Sequence, residues 1–557
     1  MFEQEIIKLL KKETKLKEIK LEVPPDQSLG DFAFPCFQLS KKYKKNPVEI
    51  AKELTNKLKP TKNIKEIKAT GPYLNFFINK SKLTEDTIKQ ILKEKEKYGK
   101  GKKKNKTIML EFFHANTHKA VHIGHIRTAS LGEATSRVLE FDGYNVIRAN
   151  YQGDIGPHVA KCLWGYLNLK KKEPKDNKGV WLGKIYAEAN KKARQNEKIQ
   201  EEIKEINKKL YSKDKKITEL WKKTRKYCID DFNDFYKTFG VKFNRLYFES
   251  QVEKRGVEIA KELLKKGIAK ESEGALIVDL NKYNLGIYVI LTSDGHAVYH
   301  TKDFALAELK LKEYKIDKSI HVVGKEQEMY FNQLFKTFEL TNSKLANKSM
   351  HLIYGLVMLP EGKMSSREGN VILYEDLIQN MFKIAEKQIK SRHKKISKKE
   401  LEKRKQQIAF AALKFSMLNR ENNKQIIFDW DKALKFEGKT GPYIQYAHAR
   451  ISSILKRSKI KPKADFNLLK TPEEINLIKS LRAFPEIVEE ASKHYKASLV
   501  ANYSLKLAQS FSEFYEKNQV IKAEENLKKA RLNLIKAVKQ VLKNSLFLLG
   551  IEAPEEM

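Results

Sequence analysis

The sequence predicts an α/β protein built on a parallel sheet, with a small α+β domain before it and an all-α helical bundle after it. Three observations predict this architecture. A strand, a helix and a second strand follow one another in residues 108–149, and further apolar strand segments continue to residue 324. From residue 374 onward the apolar positions recur at helical spacing. The chain of 557 residues is long enough for about three or four domains.

The first strand, helix and second strand form the unit around which the chain is organised. Residues 108–113 are an apolar run that ends in a polar loop, and helical spacing follows over residues 124–141. Asp142-Gly143 ends the helix, and residues 144–149 are predicted to form the second strand. Such units build parallel sheets, in which ligands bind beyond the carboxyl ends of the strands and helix N-termini donate hydrogen bonds to phosphate.

The start of this helix carries side chains that suit a nucleotide. His122 and His125 can donate hydrogen bonds to phosphoryl oxygens, and Gly124 between them lets a flat base or ribose approach the backbone. Lys119 adds a positive charge, and Asn116 lies just before it. Metal binding is the competing interpretation of the four histidines in residues 114–125. No cysteine or carboxylate lies at ligand spacing there, so we expect no metal held by protein side chains.

Composition favours a polyanionic partner. The formal net charge is +40, from 110 basic and 70 acidic residues, although a lysine-rich proteome would produce a similar excess. The three cysteines lie far apart, which is typical of a reducing compartment. There is no signal peptide pattern and no apolar run of about 18 residues, so we expect a cytoplasmic protein without a membrane segment.

Residues 1–97 are predicted to form the small α+β domain. Helical patterns cover residues 3–16 and 47–58, a loop rich in proline and glycine covers residues 24–35, and residues 67–79 alternate as a strand with a break at Gly71-Pro72. Tyr73 and Asn75 lie on one side of that strand, where they could stack on an unpaired base and hydrogen-bond to it. Packing within a half-buried sheet is the alternative.

The sheet domain is predicted to be interrupted and then resumed. Residues 165–250 are helical and charged, so we interpret them as an insertion whose lysine-rich faces are either solvated or turned toward nucleic acid. The sheet is expected to resume with strands at 274–279, 286–292 and 319–324. Tyr299 and Asp303 precede a helix predicted from residue 304, and could share a pocket, or serve sheet packing and the helix start.

A glycine-hinged loop follows the sheet. Residues 355–370 carry Lys363 and Ser365 between Gly362 and Gly369, a composition that can fold over a triphosphate and withdraw. The remaining chain is predicted to be helical.

Taken in order, these segments resemble the class I aminoacyl-tRNA synthetases, and specifically the arginyl family. His122-Ile-Gly-His125 is similar to the first class motif, which is named for those letters, and Lys363-Met-Ser-Ser-Arg367 is similar to the second, Lys-Met-Ser-Lys-Ser. Further segments that resemble the family are residues 25–35, 71–75, 111–125, 299–303, 436–450 and 549–557.

The resemblance implies a domain plan. Residues 1–97 would recognise the D-loop of tRNA, and residues 98–375 would form a Rossmann-like catalytic domain with the insertion at about 165–250. Residues 376–435 would be a helical connector, and residues 436–557 an anticodon-binding domain of the DALR type.

The resemblance also implies the reaction and its residues. Arginine would attack ATP, bound with Mg²⁺, to form arginyl-adenylate and pyrophosphate, and arginine would then pass to the 3′ end of tRNA(Arg). The protein would be a monomer, as is usual in the family. The catalytic residues would be His122, His125, Lys119 and Lys363, and Gly124, Met358 and Ser365 would also contact ATP. Arginine would be bound by Glu111, Asn116, Tyr299, Asp303 and Gln327. The tRNA would be bound by Tyr73, Asn75, Tyr443 and Tyr446, although packing between helices is the alternative for the last two.

One departure from the family pattern concerns Ser366, which replaces the second lysine of the loop motif. Arginyl enzymes often lack that lysine, and a lysine before the first motif is thought to substitute for it. Lys119 stands at that place.

Two other interpretations remain open. A class I synthetase for another amino acid, cysteine foremost, would need zinc-binding cysteines, and the three here are not so spaced. A non-catalytic tRNA-binding protein is disfavoured by the presence of His122, His125, Lys363, Glu111 and Asp303.

Overall fold

The computed structural model describes residues 2–293, 295, 299–341, 344–358, 372–392, 395–458 and 464–557, without the side chains of Gln27, Tyr299, His300 and Trp430. The chain forms two compact units. The first unit contains residues 1–98, 454–483 and 509–541, and the second contains residues 99–453, 484–508 and 542–557. No helix within the described parts of the chain is both long and apolar enough to span a bilayer.

The N-terminal part of the first unit is a three-stranded antiparallel sheet packed against helices. The strand order is β1-β3-β2, and Phe34, Leu74 and Phe76 lie in its core. The segment predicted as a strand over residues 67–79 with a break at Gly71-Pro72 is the end of β2 and all of β3, which pair as a hairpin because the chain reverses at Gly71, whose φ is 57°. The elements are α1 Phe2–Thr14, β1 Phe32–Pro35, α2 Phe37–Tyr43, α3 Pro47–Lys57, β2 Ile64–Thr70, β3 Tyr73–Ile78 and α4 Lys80–Glu94.

A five-stranded parallel sheet is the centre of the second unit, as the sequence predicts. Its order is β11-β10-β4-β5-β6, where β10 is Lys318–Gly324 and β11 is Ser349–Tyr354, so the chain leaves β4 toward β5 on one side and returns to β10 on the other. This reversal occurs between β4 and β10, and in open α/β sheets ligands bind beyond the carboxyl ends of the strands at such a point. The elements up to the edge strand are β4 Thr107–Glu111, α5 Ile123–Phe141, β5 Asn145–Gln152, α6 Pro157–Asn168, α7 Lys178–Arg194, α8 Glu197–Tyr211, α9 Lys215–Phe239, β6 Arg245–Phe248 and α10 Glu249–Lys265.

Two features of this part differ from the sequence prediction. The range 165–250 is helical only to Phe239, and β6 inside it is the edge strand of the sheet. The strands predicted at 274–279 and 286–292 do not resume the parallel sheet. They form a separate antiparallel sheet, because a connection of only a few residues can join antiparallel strands but not parallel ones.

The remaining elements of the sheet region include this second sheet and the last two strands of the parallel sheet. Helix α11 begins at Tyr299 rather than at Phe304, so Tyr299 and Asp303 lie on one helix. The elements are β7 Lys270–Ser272, β8 Ala275–Asp279, β9 Ile287–Leu291, α11 Tyr299–Glu313, β10 Lys318–Gly324, α12 Glu328–Leu340, α13 Lys344–Lys348, β11 Ser349–Tyr354 and β12 Val357–Met358.

The last part of the chain is helical, as predicted, apart from the short strand β13. Thr471 and Glu474 cap α18 reciprocally: Glu474 N donates to Thr471 Oγ1 at 3.3 Å and Thr471 N donates to Glu474 Oε2 at 2.8 Å. The elements are α14 Tyr374–Arg392, α15 Lys398–Leu418, β13 Ile426–Ile427, α16 Trp430–Ala433, α17 Gly441–Lys456, α18 Pro472–Lys493, α19 Ala497–Lys517 and α20 Glu525–Leu548.

Candidate active site

Backbone N–H groups hold each of the two histidines at the start of α5 in one tautomer. His122 is the N-cap of the helix, and its Nδ1 accepts a hydrogen bond from Gly124 N at 3.1 Å. The backbone N of His122 donates to His125 Nδ1, also at 3.1 Å, and the ring centroids are 3.8 Å apart. Since both Nδ1 atoms accept, both Nε2 atoms carry the hydrogen. The pair therefore presents two N–H donors.

Both imidazoles are neutral near pH 7. Burial, and then Lys119, lowers the pKa of His122 to about 4, and burial together with His122 lowers the pKa of His125 further. Gly124 is needed for this arrangement because a Cβ there would lie 2.9 Å from His122 Cε1. The helix start can thus donate to an anion without a charge that depends on pH in the neutral range.

Lys119 lies within electrostatic range of both rings, since its charge contributes to lowering the pKa of each. Its Nζ is 5.3 Å from the centroid of the Tyr186 ring. Burial, and then Lys161, lowers the pKa of Lys119 from its usual value. The structure therefore brings a partly buried ammonium group to the two imidazoles.

Asn116 is held at the same end of the sheet. Its Oδ1 accepts from Gly153 N at 3.2 Å, and a Cβ at residue 153 would lie 2.5 Å from that oxygen. This close approach requires the glycine, and it fixes the side chain of Asn116 beyond the carboxyl end of β5.

Glu111, the last residue of β4, is a buried carboxylate with two basic neighbours. Lys310 Nζ lies 2.7 Å from its Oε2, and His321 Nδ1 lies 3.0 Å from its Oε1. Burial by itself would raise the pKa of Glu111, but Lys310 and then His321 hold it well below its usual range. Glu111 is therefore ionised.

Asp303 is the second carboxylate of the crevice. Tyr330 donates a hydrogen bond to its Oδ2, whereas its enclosed Oδ1 has no hydrogen-bond partner among the described residues. Burial raises the pKa of Asp303 to about 7, the Tyr330 hydrogen bond opposes this, and the charge of Glu111 adds to it. A buried carboxylate with one bare oxygen is suited to a cation.

Several predicted site residues lie outside these contacts. Lys363 and Ser365 are not among the described residues, nor is Ser366. Met358 is half-buried in β12, where its carbonyl oxygen accepts from Phe428 N at 2.8 Å. Gln327 is exposed at the start of α12, and it is Tyr330, three residues later, that reaches Asp303.

The residues predicted to bind tRNA differ in exposure. Tyr73 is half-buried, 5.8 Å from the Phe37 ring in an edge-on arrangement, whereas Asn75 is only 3% exposed. In α17, Tyr443 is half-buried and Tyr446 is 40% exposed. Tyr446 is thus the most accessible of the four for stacking.

Sequence reasoning missed Lys310, His321 and Tyr330. His321 pairs with Glu111 in the register of β4 and β10, which cannot be read from either strand alone. Lys310 had a readable signal, because it follows Asp303 by seven residues and two helical turns place both on one face of α11.

His118, the residue before Lys119, makes the free energy of unfolding dependent on pH. It is fully buried, with Nδ1 2.9 Å from Thr117 Oγ1 and Nε2 2.8 Å from Thr224 Oγ1, and burial lowers its pKa from 6.5 to about 3. Below about pH 6.5 the unfolded chain binds a proton that the folded chain does not, so the free energy of unfolding falls as pH decreases, by about 1.4 kcal/mol per unit.

We therefore expect the stability advantage of the natural protein over His118→Asn to shrink by about 2 kcal/mol between pH 6.5 and pH 5.0. Urea denaturation of both proteins at the two pH values measures it. Equal losses in both proteins would contradict a neutral buried His118.

Comparisons with known proteins agree with this geometry. The family model described as tRNA synthetases class I (R), catalytic domain, matches residues 87–430. The model of the arginyl tRNA synthetase N terminal domain matches residues 1–78, and that of the DALR anticodon binding domain matches residues 444–557.

Curated relatives and a solved structure extend the match to the whole chain. The arginine-tRNA ligase of Clostridium perfringens is 37% identical over 543 residues, which cover 96% of each chain. The arginine-tRNA ligase of Halothermothrix orenii is 34% identical and both chains are covered completely. The Thermus thermophilus arginyl-tRNA synthetase superposes with a TM-score of 0.83 at 26% identity, over 100% of this chain and 99% of that one. The chain belongs to the arginyl family of the class I tRNA synthetases.

Proposed function

We infer that this chain is an arginine-tRNA ligase, which activates L-arginine with ATP, releases pyrophosphate and transfers arginine to the 3′ end of tRNA(Arg). The observation that carries the choice of amino acid is Asp303, whose enclosed Oδ1 has no hydrogen-bond partner among the residues that the structure describes. A guanidinium group is planar, permanently charged and able to donate two parallel hydrogen bonds to a carboxylate.

Activation needs positioning and charge stabilisation rather than a protein nucleophile. The arginine carboxylate attacks the α-phosphorus of ATP in line, and charge grows on the phosphoryl oxygens as the bond to pyrophosphate breaks. We propose that the Nε2–H groups of His122 and His125 donate to those oxygens, while Lys119 and Lys363 hold the leaving pyrophosphate. Gly124, Met358 and Ser365 would complete the ATP site.

Mg²⁺ would accompany ATP, bound by the phosphates and not by protein side chains. It would supply additional positive charge to the triphosphate.

The amino acid would be held at both ends. We propose that Glu111 and Asn116 bind the α-amino and carboxylate groups, and that Asp303 takes the guanidinium together with Tyr299 and Gln327. A neutral analogue would leave the Asp303 carboxylate buried and unpaired, which is the physical basis for rejecting it.

The tRNA would be recognised outside the catalytic crevice. We propose the following domains: residues 1–97 for the D-loop through Tyr73 and Asn75, 98–375 for catalysis with the insertion at about 165–250, 376–435 as a connector, and 436–557 for the anticodon through Tyr443 and Tyr446. Aromatic stacking on unpaired bases suits single-stranded loops. We also propose that the protein is monomeric and cytoplasmic.

A charging assay tests the function directly. The purified protein is incubated with ATP, unfractionated tRNA and each of the twenty amino acids in radiolabelled form, and acid-precipitable label is counted. We expect label only with arginine. Esterification of another amino acid would overturn the assignment, and no label with any of them would overturn the activity.

Arginine binding should weaken below neutral pH. Because the pKa of Asp303 is about 7 in the free protein and the guanidinium needs its ionised form, Kd for arginine should rise about tenfold per pH unit below that value. Calorimetric titration from pH 5.5 to 8.5 measures this. Adenosine serves as the control ligand, since His122 and His125 stay neutral over that range and its Kd should not change. An arginine Kd that is constant over the same range would contradict the role of Asp303.

A further inference from the structure

The buried ion pair of Lys310 with Glu111 links the two ends of the arginine site. Lys310 is 1% exposed and Glu111 is 2% exposed, and Nζ lies 2.7 Å from Oε2. Lys310 is on α11, on the helix face that also carries Asp303, whereas Glu111 ends the central strand β4. One helix therefore supplies both the bare carboxylate and the cation that pairs with the other carboxylate.

The groups around Glu111 show why this cation matters. Lys310 and Asp303 face it from α11, His321 from β10, His114 from the loop after β4, and Tyr151 from β5. Burial lowers the pKa of His321 to about 4 and lowers that of His114 as well, so both rings are neutral at pH 7. Of these described groups, the close ionic partner of Glu111 is thus Lys310, whose Nζ lies 2.7 Å from Oε2.

Without that cation, two carboxylates would share one enclosed crevice. The charge on Glu111 already raises the pKa of Asp303, whereas Lys310 lowers it. Glu249, Tyr151, Tyr288 and Tyr330 also face Asp303, and none of them is a cation. Neighbouring buried carboxylates repel each other, so one of them takes up a proton unless a positive charge is near.

We propose that Lys310 is a positioning residue of the arginine site, which keeps Glu111 ionised and oriented for the α-ammonium group of the substrate. This inference rests on the proposed function. Lys310 gives the two carboxylates different roles. The negative charge of Glu111 is balanced within the protein, and that of Asp303 is left for the guanidinium group of the substrate. The site then offers the carboxylate of Asp303 to the cationic side chain of arginine.

The test is arginine binding by Lys310→Met, measured by calorimetry on the full chain from pH 6 to 9, with and without saturating tRNA. We expect arginine affinity at pH 7 to fall by at least about 30-fold, the scale for removing one partner of a buried charge pair. We also expect the pH below which affinity declines to move upward by one unit or more. Titrations in two buffers of different ionisation enthalpy should show more protons released per arginine than in the natural protein, because one carboxylate of the pair has taken up a proton in the variant.

Three further variants separate positioning from a general loss of stability. Lys310→Arg retains the cation and should restore the natural pH profile. At pH 8.5, adding Lys310→Met to Glu111→Gln should change affinity by less than about fivefold, because a residue that acts through Glu111 has nothing left to act on. Arg531→Met is the matched control: Arg531 Nε lies 2.7 Å from Glu474 Oε1 in another buried pair, so the variant should lose stability without a shift in the pH profile.

The outcomes are distinct. If the natural protein binds no arginine, the proposed function fails. If it binds arginine and Lys310→Met keeps the natural pH profile, or loses affinity equally with and without Glu111, the positioning role fails. If Lys310→Met does not fold, two measurements still test the positioning role. They are the pH profile of Lys310→Arg and the arginine affinity of the Glu111→Gln, Lys310→Met double variant compared with that of Glu111→Gln.

Discussion

Asp303→Asn is expected to lower kcat/KM for arginine by at least about 100-fold, the lower end of the effect of removing one member of a buried charge pair. The physical reason is that an asparagine keeps the shape of the side chain but removes the charge opposite the guanidinium. In the natural protein, Oδ2 of Asp303 accepts a hydrogen bond from Tyr330, whereas Oδ1 has no hydrogen-bond partner among the described residues and is left for the incoming cation.

Aminoacylation at varied arginine concentration measures this change, and KM for ATP should stay within about twofold because the loss is confined to one substrate. Asp279→Asn is the control, since Asp279 is an exposed carboxylate at the end of β8, 2.8 Å from Lys270, and an exposed pair contributes little. A loss of less than roughly fivefold in Asp303→Asn would contradict the guanidinium site, being far below the cost of an unpaired buried charge.

Lys119→Ala is expected to lower the rate of adenylate formation by more than ~100-fold, within the range for loss of a charge-stabilising donor. The prediction is motivated by Ser366, which stands where the family-wide motif has a lysine. The structure brings the ammonium group of Lys119 within electrostatic range of His122 and His125. Lys119 could therefore supply the charge that Ser366 does not.

Single-turnover adenylate formation with tRNA present measures the effect. Lys184→Ala is the matched control, because Lys184 is an exposed lysine of α7. Introducing Ser366→Lys into the Lys119→Ala background should raise the rate of adenylate formation at least about tenfold if a lysine at either position stabilises the same charge. A loss of less than roughly fivefold in Lys119→Ala would remove this residue from the mechanism, since one stabilising charge is worth far more.

Local patterns in the sequence were sufficient for the catalytic framework. The apolar run before Glu111 and the helical spacing that begins near Gly124 predicted β4 and α5, because strand and helix periods are properties of consecutive residues. The same is true of the helix stop at Asp142, after which Gly143 adopts a φ of 94°. His122 and His125 could be identified for the same reason, since their partners lie within four residues.

Assignments that depend on distant partners were less accurate. Alternation predicted β8 and β9 as strands but could not say which strands they pair with, and they form their own antiparallel sheet. Likewise the sequence identified Asp303 but not Tyr330, which donates a hydrogen bond to it from another helix, 27 residues away.

The sequence by itself determined the order of the elements, the parallel sheet, the helical end of the chain, the family, and the two motif histidines with their preceding lysine. Only the tertiary structure decided how charge is distributed in the crevice: Glu111 is compensated by Lys310, and Asp303 is left with a bare oxygen. The physical reason is that secondary structure follows from neighbours along the chain, whereas the ionisation of a buried carboxylate depends on which cation the fold brings within about 3 Å.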